Sequence, residues 1–139
     1  MSKSVRPELS DRNPYWVDRH RYYELTHFCL QYLIWKSRYF SLGDTIRSAA
    51  TDNVSVKSTS VSCPTEDEAM KKLYYKERME LVEQTAKETD EVLAPYILLG
   101  VTEGVSYDII KLRLDIPCNR NVYYTLYRRF FWLLDKKRG

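Results

Sequence analysis

At 139 residues the chain is long enough for one domain with a buried core and too short for two independent ones. Its 22 Lys and Arg against 19 Asp and Glu leave a net charge of +3, too mild by itself to single out nucleic acid as a partner. No apolar stretch approaches the roughly 18 residues of a membrane span, and three cysteines (29, 63 and 118) fit neither a disulfide framework nor a metal-binding spacing.

Residues 1–13 are polar and charged and predict a flexible arm. Met1 leads into Ser-Lys-Ser with no apolar segment, so no secretory signal is read and a reduced, cytoplasmic protein is expected. Residues 14–43 form an aromatic helical region. Trp16, Tyr23, Phe28, Leu30, Leu33, Ile34 and Tyr39 include the i, i+3 and i+4 spacings of an amphipathic helix from Tyr15 to Leu42, with room for one break and an end near Gly43. Its tyrosines, part of a total of 12, serve either as core filler or as a homodimer contact. Residues 44–64 lose the apolar period and predict a linker, with only a weak strand signal at Val54–Val56 and Val61.

Residues 65–139 return to helical patterning. Thr65 is placed to cap a helix whose first turn holds Glu66, Asp67 and Glu68, where negative charge complements the helix dipole. This helix runs to Thr89 and buries Ala69, Leu73, Met79 or Tyr75, and Val82. Residues 66–91 carry nine acidic and five basic groups, net −4, and form either a solvated face or a contact for host RNA polymerase. Asp90 caps a third helix through Val92, Leu93, Tyr96, Ile97 and Val101, with Pro95 in its first turns and Gly104 closing it.

The C-terminal 35 residues concentrate the positive charge, with eight basic and three acidic groups in 105–139. Ser106 caps a short helix to Leu114. Asp115 to Cys118 makes a turn with Ile116 as its apolar plug, and a last helix starts at Asn119. A short helix, a tight plugged turn and a basic second helix are the parts of a helix-turn-helix, here 106–138, that puts its second helix into the major groove of double-stranded DNA. Val122, Leu126, Phe130, Leu133 and Leu134 recur at helical steps and are assigned to the core. Arg120, Asn121, Tyr124, Thr125 and Arg128 then lie opposite as base readers, since Arg bridges guanine, Asn bridges adenine, and Thr or Tyr reaches phosphate or a thymine methyl. Arg129, Lys136, Lys137 and Arg138 are assigned to phosphates. A basic face that meets only solvent is the competing reading.

No Gly-rich phosphate loop, nucleophile elbow, H-E-x-x-H or paired-carboxylate motif is present, so the chain reads as no enzyme, with no catalytic residue and no cofactor. His20 and His27 share a helix face near Cys29 but lack further ligands at defined spacing, and no metal site is expected.

The blocks Val101-Thr102-Glu103-Gly104-Val105-Ser106-Tyr107, Ile116-Pro117-Cys118-Asn119-Arg120 and Tyr124–Leu134, with Tyr22–Tyr32 near the other end, resemble small proteins of phages and prophages of Gram-positive gut bacteria. These in turn resemble the ArpU and RinA class of phage late-gene regulators, whose C-terminal region is similar to the fourth region of sigma factors. The two end blocks frame most of the chain, and the resemblance to the regulator class carries over only the helix-turn-helix at Ser106–Leu134. It implies an all-α DNA-binding activator of packaging, morphogenesis or lysis operons, acting in the bacterial host cell. Tyr123 and Tyr124 depart from the Ser/Thr-rich openings of sigma-like recognition helices. Two other readings stay open: a small terminase subunit that recognises a packaging site as a ring, and a phage interaction protein that inhibits a host or defence protein.

Overall fold

The computed structural model describes residues 14–52 and 66–139, with 43–52 as backbone alone. The expected arm at 1–13, the Thr65 cap and the weak strand signals lie outside the described residues. Six helices and no strand are found among the described residues, so the chain is all-α: α1 (Arg19–Leu30), α2 (Tyr32–Asp52), α3 (Glu66–Thr89), α4 (Ala94–Glu103), α5 (Tyr107–Leu114) and α6 (Arg120–Arg138). No helix of the described residues is long and apolar enough to cross a membrane.

The long first helix is broken at Gln31. Its backbone N–H donates to the carbonyls of Phe28 and Cys29, closing α1 with a tightened last turn. Asp18 begins α1, its carboxylate accepting from the His20 N–H at 3.2 Å. α2 does not stop near Gly43 as expected but continues to Asp52, replacing the first part of the expected linker. One internal glycine costs a helix only about 1 kcal/mol against alanine, and the Ile46, Arg47, Ala49 and Ala50 that follow are all compatible with helix.

The chain groups into two compact units, Met1–Tyr32 with Leu81–Gly139, and Leu33–Glu80. In the first, α1, α4, α5 and α6 pack against one another, and the last turns of α3 belong to the same unit. Leu25, Val82, Ile97, Ile110, Phe130 and Leu134 are fully buried there. Buried threonines satisfy their hydroxyls within their own helices: Thr85 Oγ1 donates to the Leu81 carbonyl at 2.6 Å, and Thr102 Oγ1 to that of Leu98 at 2.7 Å. Tyr32 donates to the Glu83 carboxylate. In the second unit Trp35 and Met79 are buried, and the Lys72 ammonium lies 5.1 Å from the Tyr39 ring centre.

Two expected core faces are rotated. On α3, Ala69 and Leu73 are exposed, and the covered stripe runs Lys72, Tyr75, Met79, Val82, Ala86 and Thr89 in alternating steps of three and four. On α6, Val122 is 44% exposed and Leu126 and Leu133 are half-buried, while Tyr123, Phe130, Phe131 and Leu134 are buried. The helix turns its rings inward because each ring buries more apolar area than an aliphatic side chain. The rings of Tyr123 and Tyr127 meet at a tilt 6.0 Å apart, those of Tyr127 and Phe131 edge to face at 5.1 Å, and Phe131 meets Tyr22 of α1 edge to face at 5.3 Å.

Asp90 does not open α4 directly: Leu93 is the capping position, and the Asp90 carboxylate accepts from the Leu93 N–H at 2.9 Å in the preceding turn. Val92, expected within the third helix, lies in that turn and is 74% exposed. Gly104 closes α4 with φ +69°, a left-handed conformation that only glycine adopts without strain.

Candidate nucleic-acid interface

Three local devices set the start of α6. Ser106 caps α5, its hydroxyl accepting from the Ile109 N–H at 3.4 Å. Asp115 ends α5 in the left-handed region at φ 54°, a conformation that Asp tolerates better than most residues. Asn119 then caps α6, its side-chain oxygen accepting from the Val122 N–H at 2.9 Å. Between them Ile116 is fully buried, as its role of plug requires.

Two tyrosines pin the turn and α5 to α6. The Tyr107 hydroxyl donates to the Cys118 carbonyl at 2.5 Å, and the Tyr124 hydroxyl accepts the Tyr107 N–H at 3.1 Å. The rings of Tyr107 and Tyr123 lie 5.7 Å apart. Burial pushes the phenols of Tyr123 and Tyr127 well above their ordinary pKa, so both stay protonated through the neutral range. The Cys118 thiol is raised as well, first by burial and then by the Asp90 carboxylate.

The expected base readers lie on one helix face, at successive i+4 steps: Arg120, Tyr124 and Arg128, with Asn121 and Thr125 beside them. Arg120, Asn121 and Thr125 are exposed. The Arg120 guanidinium lies 5.6 Å from the Tyr124 ring centre and 3.5 Å from the Asp108 carboxylate of α5. Thr125 Oγ1 donates to the Asn121 carbonyl at 2.9 Å. Tyr124 is half-buried and spends its hydroxyl on Tyr107, which makes it a positioning residue for the two helices. Arg128 is half-buried.

The expected phosphate contacts are dispersed. Arg129 reaches the Tyr15 hydroxyl at 3.5 Å. At the far end of α6, Lys136 lies 4.4 Å from the Trp132 ring centre, and Arg138 4.0 Å from that of Phe28. Lys137 bonds Glu88 at 2.9 Å and holds that carboxyl below its ordinary range. Eighteen residues of helix separate Arg120 from Arg138, on the order of 27 Å at 1.5 Å per residue. Only a ligand that follows the whole length of α6 meets both ends.

Comparison with protein-family models, with curated proteins and with solved structures returns no match. The local chemistry alone therefore carries the reading.

Sequence reasoning missed two features of this end. Asp108, an ordinary dipole-complementing residue in the first turn of α5, faces Arg120. Lys111 similarly pairs with Asp115 at 3.5 Å and Arg113 with Glu103 at 3.2 Å. Such exposed pairs are worth about 0–1 kcal/mol each, weak enough for a phosphate to displace the carboxylate. The second feature is apolar: Leu112 is 82% exposed, and Leu114 and Ile109 are exposed beside it. Alternating Ile, Leu and charged residues along 109–114 carried the only signal of that surface.

Proposed function

We propose that the chain is a sequence-specific DNA-binding transcription regulator of the phage late-gene type that lays the first turns of α6 in the major groove. The observation that supports this reading is the Asn119-capped start of α6, where Arg120, Asn121 and Thr125 are exposed on one face and Tyr124 anchors α5 behind them. Arg120 and Asn121 supply bidentate donors and acceptors for guanine and adenine, Thr125 a methyl and hydroxyl, and Arg128 and Arg129 positive charge further along the groove. On this reading the chain acts on late operons in the bacterial cytoplasm, with host RNA polymerase as the protein partner.

Binding of the purified protein to tiled duplexes from its own genome, at two salt concentrations, tests the proposal. One preferred fragment is expected, and Arg120→Ala should lose about 1–3 kcal/mol of preference there while leaving non-specific binding in place. Uniform binding that Arg120→Ala does not change would refute it. The exposed Leu112 and its apolar neighbours favour a second reading, a phage protein that inhibits a host or defence protein through α5. Under that reading Leu112→Glu abolishes activity in cells, and duplex DNA binds without preference.

A further inference from the structure

Asn121, Thr125, Arg128, Trp132 and Lys136 recur along α6 at steps of four, three, four and four, so they share one stripe, and none of them is buried. Arg129 stands beside it. The segment that leads into α1 reaches the second half of this stripe. Tyr15 meets the Trp132 ring edge to face at 5.4 Å, and the Arg129 guanidinium lies 5.9 Å from the Tyr15 ring centre. Lys136 lies 4.4 Å from the Trp132 ring centre. Cations and rings therefore alternate along one surface. Tyr15 and Trp132 are only half-buried and Trp16 is 45% exposed, although rings of this size contribute most to a core when fully covered.

The charges select an anion. Arg128, Arg129 and Lys136 lie on or beside the stripe, which carries no acid. The carboxylates at its margins are engaged: Asp135 with Arg21 at 2.6 Å, Glu24 with the same guanidinium at 3.1 Å, and Asp18 with the His20 N–H at 3.2 Å. Arg19 adds a further exposed cation at the start of α1, whereas Lys137 and Arg138 are occupied with Glu88 and Phe28. The rings select among anions. An acidic peptide or a free phosphate engages the cations alone, and in a duplex the face of each base is covered by its neighbours. A single strand brings phosphates for the cations and open base faces for the rings. From Asn121 to Lys136 the stripe runs on the order of 22 Å, room for about four nucleotides, the low end of what one small fold holds.

We infer that this face of α6, with Tyr15 and Trp16, binds single-stranded nucleic acid without base preference, phosphates lying on Arg128, Arg129 and Lys136 and bases against Trp132 and Trp16. The inference does not rest on duplex recognition, because Arg120 lies off the stripe, towards Asp108 of α5.

Titration of the full chain with a labelled oligothymidylate, an abasic strand of the same length and the homopolymer duplex of the first strand, at two salt concentrations, tests it. The oligothymidylate should bind about tenfold or more tighter than the abasic strand, since stacking adds to the phosphate contacts. Trp16→Ala and Trp132→Leu should each reduce that ratio severalfold while the abasic strand and the duplex keep their affinities. Lys136→Gln should weaken both strands and lower their salt slope by about 0.7. Arg120→Ala should leave single-strand binding unchanged, so the failure of this inference and that of duplex recognition are read separately. Trp16 and Lys136 are exposed, and their variants decide the matter if Trp132→Leu loses its helical circular dichroism. Equal affinity for the abasic and base-bearing strands, tryptophan variants that leave their ratio intact or weaken the duplex as much as the strand, or polyglutamate competing as well as oligothymidylate would each overturn the inference.

Discussion

Replacing Gly100 with alanine probes the closest fit in the fold. A Cβ on Gly100 would stand 2.0 Å from the Tyr123 hydroxyl, 3.3 Å from Cζ of that ring and 3.4 Å from Cδ1 of Ile110. The same hydroxyl is buried without a hydrogen-bond partner among the described residues. Two opposed effects then decide each variant. Alanine inside a helix gains about 1 kcal/mol over glycine, but forcing the ring aside costs about 1–3 kcal/mol as overpacking. A 2.0 Å approach lies at the upper end of that range, so Gly100→Ala alone should destabilise by about 1–2 kcal/mol. Tyr123→Phe removes a buried, unsatisfied oxygen whose desolvation costs about 1–3 kcal/mol. Allowing for the small gap it leaves, we expect a gain of about 1 kcal/mol. With Phe at 123 the nearest atom to the new methyl is ring carbon at 3.3 Å, which a few tenths of an ångström relieves. The helix propensity gain then dominates, and Gly100→Ala becomes neutral or stabilising. The cycle should therefore show a coupling of about 1–3 kcal/mol, as expected for residues in direct contact. Urea unfolding of the four proteins with a common m-value supplies the free energies. Additivity within about 0.5 kcal/mol, or a Tyr123→Phe variant less stable than wild type by more than about 1 kcal/mol, would refute the reasoning.

Under the proposed DNA-binding role, Asp108→Asn should release Arg120 and raise duplex affinity severalfold, read by titration at low salt; an unchanged affinity would count against Arg120 as a DNA contact. Burial raises the phenol pKa of Tyr32, Tyr123 and Tyr127, and for Tyr32 the Glu83 carboxylate adds to the effect. Their folded pKa values exceed the unfolded value of about 10, so the stability is fully present below pH 10. Above it each residue costs about 1.4 kcal/mol per pH unit until its folded pKa is reached. Tyrosinate absorbance should consequently rise in two stages on alkaline titration, the second coinciding with loss of helical circular dichroism. Arg21→Met, which removes the 2.6 Å contact to Asp135 and a second bond to that residue's carbonyl, should lower stability by about 0.5–1 kcal/mol at these partly exposed positions, measured by thermal melting.

Helix existence was legible wherever a cap and a period agreed. Ser106, Asn119 and Gly104 each mark an end that the backbone takes, and Ile116 occupies its place in the turn. The break at Gln31 was not placed because no glycine or proline stands there, and the run past Gly43 was missed because one glycine outweighs neither neighbour. Facing was harder than existence. On α6 the aliphatic residues keep a helical period of their own, and only the packing partners Tyr22 and Tyr107 reveal that the aromatic stripe is the inner one. The division into two units joins residues before Tyr32 to residues after Leu81, and a pattern read along the chain carries no mark of such closure. Among the site residues, type and spacing put five on one face. The partners that tie Tyr124 to Tyr107 and Arg120 to Asp108 come from α5, which the spacing along α6 does not record.

The Arg21 contact with Asp135 spans 114 positions of sequence. During synthesis at about 5–20 residues per second, α1 waits on the order of ten seconds before its partner leaves the ribosome. Throughout that interval the side of α1 that carries Leu25, Phe28 and Cys29 has no α6 to cover it. Slow, non-local closure of this kind leaves apolar surface open to chaperones and to neighbouring nascent chains. The yield of folded protein in a cell should then depend on how fast the last helix is delivered as well as on how well it binds.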